Sequence, residues 1–551
     1  MSKAIGIVRE VYTKWERRVP LSPLHVSSLI QKGIPVYIQP CHRRIYSDNQ
    51  YEASGATLTD DLSKASIILG VKALPAKDIL KKKTYLFFSH TIKGQNENME
   101  LLDTIVASES RFLDYECIQK NGKRSIAFGE YAGRAGMINT LRGLGEKALS
   151  LGYSTPFLNI ASTYTYGELK YAKEAIHRAG DDIKKNGLPS ELKPMTFVFT
   201  GNGNVSKGAQ EIFQCLPHEM ITPQELPHVD RNRNVLYGCI ATETELVEHL
   251  TLAKKGVVDK LEYYQYPDRF QPIFHRDILP HTSVLMNCMY WDARFPRLIT
   301  SDQMNEITDC KLLCIGDITC DIRGSIEFLS RSTEIETPFY VYDPIQRTTS
   351  NDTMNSSGIF MMGVDILPSE LPIESSCHFG TLLLPLLETL LDSDGQEPLV
   401  EQERILPAEL YESIIAANGK LTPNFEYIQK LRSSRISTSV QENANTCLLL
   451  NGHLFDSGLI NRFLNTIEIM GGAFHIDNVN VRPNTTTAHP SSVIVQVSMP
   501  QENDIEKLIS TVTEMCMNEK DAAATGTRNS FSSCFNVLYS VNNSYTIAAL
   551  L

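Results

Sequence analysis

Long apolar runs are missing from this sequence of 551 residues. No stretch approaches the roughly 20 apolar residues that a helix needs to span a bilayer, so no membrane association is expected. Cysteine is sparse, 12 in all and without a C-x-x-C pair; Cys310 and Cys314 come nearest. That usage supplies neither a disulfide framework nor the thiolate pairs of a zinc site. The cysteines read as reduced and structural, and no metal is expected; His453 and His475 are single histidines beside strands rather than a ligand pair. Dense basic stripes are also missing. With 52 Lys and Arg against 64 Asp and Glu, the net charge of −12 has the wrong sign for holding a phosphate backbone, and nucleic acid is not expected as a partner. The opening "MSKAIGIVREVYTKWERRVP" has no apolar signal core and carries Glu10 and Glu16, which a transit segment avoids, so the expectation is a cytoplasmic protein.

An apolar share of 42% suits packed cores, and the length suits two to four domains of roughly 100–200 residues. Residues 1–152 alternate strand-like runs ("AIGIV", "VYIQP", "IILGV", "YLFFSH", "RFLDYE") with helical ones, which predicts a parallel sheet covered by helices. The apolar helix expected within 363–393 completes this domain. A second α/β unit is expected over 190–362, a polar linker with some helix over 394–445, a small α+β module over 446–520, and a flexible tail over 521–551. The fold class is therefore α/β, with two Rossmann-like doubly wound domains, a cleft between them and a small α+β module after them. Oligomeric state is left open, a homo-oligomer included.

"TGNGNVSKG" follows a strand and opens a helix, the setting of a dinucleotide-binding turn. Gly201 and Gly203 let the backbone approach a pyrophosphate, and the helix N-terminus adds unpaired N–H groups. The run Gly201, Asn202, Gly203, Asn204, Val205 and Ser206 is the candidate cofactor site. In an NAD site the second strand ends on an acidic residue that binds the ribose. Taking "HEMIT" (218–222) as that strand leaves Thr222-Pro223-Gln224 without a carboxylate, with Glu225 as a rival further on. This favours NADP(H) and leaves NAD(H) as the alternative.

In open α/β sheets the carboxyl ends of the strands line the ligand crevice. Two neighbouring expected strands stop at Lys72 and His90, a third adds Glu116, and Arg17 and Arg18 follow the first. Burial and neighbouring cations lower a lysine's pKa, and a carboxylate such as Glu116 would set where it titrates. Such a group can move protons about a C=O or C=N carbon while arginines hold carboxylates.

The stretches "ERRVPLSP", "ILGVKALP", "YLFFSHTIKGQ", "IAFGEYAGRAGMINTL", "TFVFTGNGNVSKGAQEIF" and "GDITCDIRGSIEF" resemble the lysine–2-oxoglutarate reductase part of the bifunctional aminoadipic semialdehyde synthases. That part is similar to fungal lysine-forming saccharopine dehydrogenases and, more remotely, to alanine dehydrogenase and transhydrogenase. The likeness covers about residues 3–435, and 446–520 resembles the region joining the two halves of such enzymes. It implies NADPH-dependent condensation of L-lysine with 2-oxoglutarate to saccharopine, the first step of lysine degradation. It further implies Lys72 and His90 as the proton-transferring pair, Glu116 as their tuning acid, and Arg18, Arg124, Phe128 and Gly129 at the substrate. Asp317 and Asp321 would lie near the nicotinamide side of the cleft. Ala73 stands where fungal relatives carry a glutamate, and no second glycine-rich strand–turn–helix follows residue 446. A chain complete as it stands would then make saccharopine without consuming it. An alanine-dehydrogenase-like enzyme and a non-catalytic regulatory relative are the alternatives, as is a mitochondrial location by analogy with animal relatives.

Overall fold

The computed structural model describes residues 3–251, 258–307, 310–432, 444–452, 459–480, 491–499, 504–505, 507–508, 510–511, 536–541 and 544–550, so that His453 lies outside the described residues. Two compact units divide the chain, 1–426 and 427–551. No helix among the described residues is long and apolar enough to cross a membrane.

The first sheet of the first unit has eight strands. From edge to edge they are Lys420–Leu421, Ile414–Ala417, Arg111–Asp114, Thr84–Phe88, Ile67–Lys72, Ile5–Ile7, Val36–Ile38 and Thr57–Leu58. Only Ile414–Ala417 runs against the others, and the central strands read as unbroken apolar runs because helices cover both faces. The two antiparallel strands correct the expected linker over 394–445. Ile414–Ala417 is fully buried beside Arg111–Asp114, and Asn418-Gly419, both at positive φ, form the two-residue turn that such a hairpin requires. Buried Arg111 fixes the same segment by donating to Ser393 Oγ (2.8 Å) and Gln402 Oε1 (3.2 Å). The helix Pro372–Leu391 packs on this domain, with Phe379 stacked on Phe128 and edge-on to Tyr115.

The second sheet is ordered His218–Ile221, Leu236–Ala241, Thr196–Thr200, Val284–Asn287, Cys314–Asp317, Ile359–Met362, Phe339–Asp343 and Thr348–Ser350. Its first six strands are parallel. The strand His218–Ile221 therefore lies at the edge, one strand removed from Thr196–Thr200, and the neighbour of the phosphate-turn strand is Leu236–Ala241. This corrects the strand on which the preference for NADP(H) rested.

The long helix Gly129–Ser150 joins the two domains. Its Asn139 accepts from Thr163 and donates to the buried Glu370 Oε1 at 2.8 Å. Burial pushes the Glu370 carboxyl up to about 8, although the Asn139 bond opposes it. The folded state thus favours the protonated acid. That stabilisation is complete below the ordinary value of 4.5 and is lost as pH rises through about 8. Glu370→Gln should leave Tm near wild type at pH 4.5 and gain on it progressively up to pH 8; parallel Tm–pH curves for the two proteins would contradict this.

In the second unit a five-stranded antiparallel sheet is ordered Ala473–Asn480, Ser491–Met499, Ala444–Gly452, Asn536–Val541 and Ser544–Leu550. The helix Leu459–Ile469 places Phe463 and Ile467 against Leu448, Val493 and Val495. Within the tail expected over 521–551, the described residues 536–541 and 544–550 form the last two strands, each supplying backbone pairing that the other completes.

Candidate active site

Lys72, His90 and Glu116 stand at the carboxyl ends of three adjacent parallel strands, with Lys72 opposite Phe88 and Phe87 opposite Asp114. Local backbone devices place each of them. The register shifts between Leu69 and Lys72, and the N–H groups of Val71 and Lys72 donate to Glu10 at 2.5 and 3.2 Å. A bulge of this kind re-aims a side chain at the sheet edge. His90 holds a left-handed backbone (φ 56°), which for a residue with a β-carbon persists only where the surroundings enforce it. Buried Asp114 enforces it: one oxygen accepts from Ser89 N (2.8 Å) and Oγ (2.6 Å), the other from Glu116 N (2.8 Å). A single carboxylate thereby positions both the histidine and the glutamate.

Burial and then the Arg18 charge lower the Lys72 pKa, while Glu16, Asp365 and Glu10 oppose them. Among the described residues its ammonium has no hydrogen bond or ion pair, and it lies 4.9 Å from the centre of the Tyr12 ring. Glu116 is not among the groups that chiefly shift the Lys72 pKa. Its Oε1 binds Arg124, and Oε2 lies 3.5 Å from His90 Nδ1, a distance for Coulomb attraction rather than a hydrogen bond. His90 first, then Arg124 and Lys93, hold the Glu116 carboxyl below its usual range despite partial burial.

Arg18 is buried and bound in a fork to Glu16 through Nε (2.8 Å) and Nη2 (2.6 Å), with its plane 4.3 Å from Phe128. A guanidinium so engaged shapes the wall beside Lys72 and keeps only Nη1 for a carboxylate. Gly129 belongs to the other side, because a β-carbon there would touch Asn204 at 3.3 Å and Val205 at 3.5 Å. Gly133 and Gly208 make the contact closer still. A β-carbon on either would overlap the backbone of Val205 or Glu130, so the two helices meet without intervening side chains.

Gly201 has φ +71°, which favours glycine, and donates its N–H to Ala241 O at 2.8 Å. A β-carbon on Gly203 would meet nothing within 4 Å. The space in front of the turn is open, and the ten-residue helix Asn204–Phe213 presents its N-terminus there; this fits a pyrophosphate. Asp317 closes the strand two places from Thr196–Thr200, accepting from Asn287 Nδ2 (3.0 Å), Thr319 Oγ1 (2.7 Å) and Cys320 N (3.1 Å), and burial pushes it up to about 6. Asp321 is raised by burial, with Lys93 opposing, so Lys93 couples the Glu116 wall to the Asp321 wall. Glu225 accepts from Thr222 N and Oγ1, both at 2.8 Å, and caps the turn after the edge strand. Glu10, Glu16, Lys93, Asp114 and Asp365 were not selected from the sequence as site residues; the readable hint was that Glu10 and Asp114 also end strand-like runs.

Titratable strand ends on one sheet, together with a glycine turn and helix N-terminus on a second, are features that a dinucleotide-dependent oxidoreductase uses. Residues 6–135 match the family model "Alanine dehydrogenase/PNT, N-terminal domain", and residues 445–535 match "LOR/SDH bifunctional enzyme conserved region". The chain is 39% identical over 549 residues to the alpha-aminoadipic semialdehyde synthase of Arabidopsis thaliana, covering 94% of this chain and 50% of that protein. It is 38% identical over 532 residues to the mitochondrial alpha-aminoadipic semialdehyde synthase of Mus musculus, covering 92% and 56%. The chain spans about half the length of these curated relatives. Among solved structures, an L-alanine dehydrogenase aligns over 78% of this chain and 99% of its own, with 15% identity and a TM-score of 0.47.

Proposed function

We propose that the chain is a lysine–2-oxoglutarate reductase, joining the ε-amine of L-lysine to the keto carbon of 2-oxoglutarate and reducing the product to saccharopine with a nicotinamide dinucleotide. The observation that carries this reading is the row Lys72, His90 and Glu116 at adjacent strand ends in the domain whose partner bears the Gly201–Ser206 turn. Similarity to the alpha-aminoadipic semialdehyde synthases supports it. The amine adds to the keto carbon, water leaves, and the resulting imine is reduced to a secondary amine. The nicotinamide ring, when bound, supplies the hydride.

Lys72, whose pKa burial and Arg18 lower, takes the proton from the attacking amine and returns it to the departing hydroxyl. His90, with Nδ1 3.5 Å from Glu116, exchanges the proton of the product amine. Arg124 and the free Nη1 of Arg18 hold substrate carboxylates. Asp317 and Asp321 line the opposite wall.

The test follows reduced dinucleotide at 340 nm with lysine and 2-oxoglutarate, omitting each in turn. Oxidation that needs both is the expected result. Oxidation with 2-oxoglutarate and ammonia but without lysine would favour the amino-acid dehydrogenase reading, and none in a folded protein would point to a binding role.

A further inference from the structure

We infer that Glu10 is a positioning residue for the proposed reaction: its side chain stands in for a missing stretch of strand and thereby fixes where the Lys72 amine is presented. The inference rests on the reading of Lys72 as a proton-transferring group and concerns what holds it there.

Pairing between Ile5–Ile7 and Ile67–Lys72 ends at Ile7 opposite Leu69, where Val8 N donates to Leu69 O at 3.0 Å. The chain then turns away, and Arg9 N donates to Gln39 Oε1 at 2.9 Å. Val71 and Lys72 lie beyond that end, with N–H groups that need acceptors once water is excluded. Glu10 supplies both, Oε1 accepting from Val71 N and Oε2 from Lys72 N. In a regular strand successive N–H groups point to opposite neighbours, whereas here two converge on one carboxylate. On the other side the pairing passes from Leu69 opposite Leu86 to Lys72 opposite Phe88, which takes up one extra residue. Gly70 lets the backbone close up in this way, since a β-carbon there would stand 3.1 Å from both Lys72 O and Val8 Cγ2.

Lys72 is therefore held at its root. At its tip the ammonium meets the Tyr12 ring and the charges of Arg18, Glu16, Asp365 and Glu10, without a hydrogen bond or ion pair among the described residues. Glu10 is itself buried, and its own carbonyl accepts from Arg43 Nη2 at 3.2 Å, so the carboxylate springs from an anchored backbone. With one of its two bonds lost, the Val71–Lys72 peptide is free to swing back towards a regular strand. A displacement of about 1 Å at a reacting group costs up to about 10²-fold in rate.

The test is a kinetic double-mutant cycle on the full chain with lysine, 2-oxoglutarate and reduced dinucleotide. Glu10→Gln keeps the size but offers one acceptor oxygen in place of two; Gly70→Ala presses on Lys72 O and leaves Glu10 intact. Each should lower kcat about tenfold to 10²-fold while dinucleotide Kd stays within about twofold. Each should cost less than about twofold when added to Lys72→Met. A loss of equal size in the Lys72→Met background, or wild-type kcat in both variants, would overturn the assignment. Competitive labelling of Lys72 with acetic anhydride across pH, read by mass spectrometry, needs no turnover. Moving the amine out of its buried seat beside Arg18 should bring the Gly70→Ala midpoint up towards the ordinary lysine value, and a midpoint equal to wild type would overturn the assignment. A folded wild type without turnover would count against the reductase reading alone, and the labelling would then decide this one.

Discussion

Gly208→Ala should destabilise the chain by about 3 kcal/mol or more and weaken dinucleotide binding in whatever folded protein remains. An added methyl group in a closed core costs about 1–3 kcal/mol when side chains can shift. Here the obstacle is backbone: a β-carbon on Gly208 would overlap the carbonyl of Glu130, and one on Gly133 would overlap that of Val205. Relief requires the helices Gly129–Ser150 and Asn204–Phe213 to part, and the second of these carries the phosphate turn at its N-terminus. Parting them moves the pyrophosphate donors away from the first domain. Gly203→Ala is the contrasting control, because a β-carbon there meets open space. Chemical denaturation of the three proteins, with dinucleotide titration of those that fold, checks the prediction; a Gly208→Ala protein within 0.5 kcal/mol of wild type would contradict the close helix contact.

Lys72→Met should lower turnover about 10²–10⁴-fold, the range for loss of a general acid–base group. Dinucleotide affinity should remain within about twofold, because the phosphate turn belongs to the other sheet. The wild-type pH–rate profile should show a limb below the ordinary lysine value, since burial and Arg18 both favour the neutral amine, and that limb should vanish in Lys72→Met. Glu16→Gln supplies the sign. It removes a carboxylate that favours the ammonium form and frees the Arg18 charge, so the limb should move towards acid. A profile of wild-type shape with reduced amplitude in Lys72→Met would assign that limb to another group and leave Lys72 a packing role.

The row of strand ends was readable because a parallel sheet makes simple demands on sequence: apolar runs of four to six residues, helical periodicity between them, and chemistry where the run stops. Lys72, His90 and Glu116 satisfy that grammar. Glu10 did not stand out, because its role depends on a shift in strand register rather than on neighbours in sequence. The fork of Glu16 to Arg18 was missed for a related reason: two residues that close in a polar stretch read as separate charges until burial pairs them. The second sheet misled in a different way. His218–Ile221 follows the phosphate-turn helix and looks like the next strand in space, yet its partly exposed residues suit an edge, while the more apolar Leu236–Ala241 takes the interior position. Burial demand decided the order against chain order.

The antiparallel pair Ile414–Ala417 and Lys420–Leu421 also bears on how the chain assembles during synthesis. Until residues 414–417 have been made, Arg111–Asp114 has no partner on its outer side, and its row of backbone donors and acceptors stays open. At about 5–20 residues per second, that interval lasts tens of seconds on the ribosome. The buried guanidinium of Arg111 waits through the same interval for Ser393 and Gln402. The first sheet is thus begun at one end of the unit and sealed at the other, with the whole second domain emerging between, and a nascent chain paused before residue 414 carries an open edge onto which a neighbouring chain can pair.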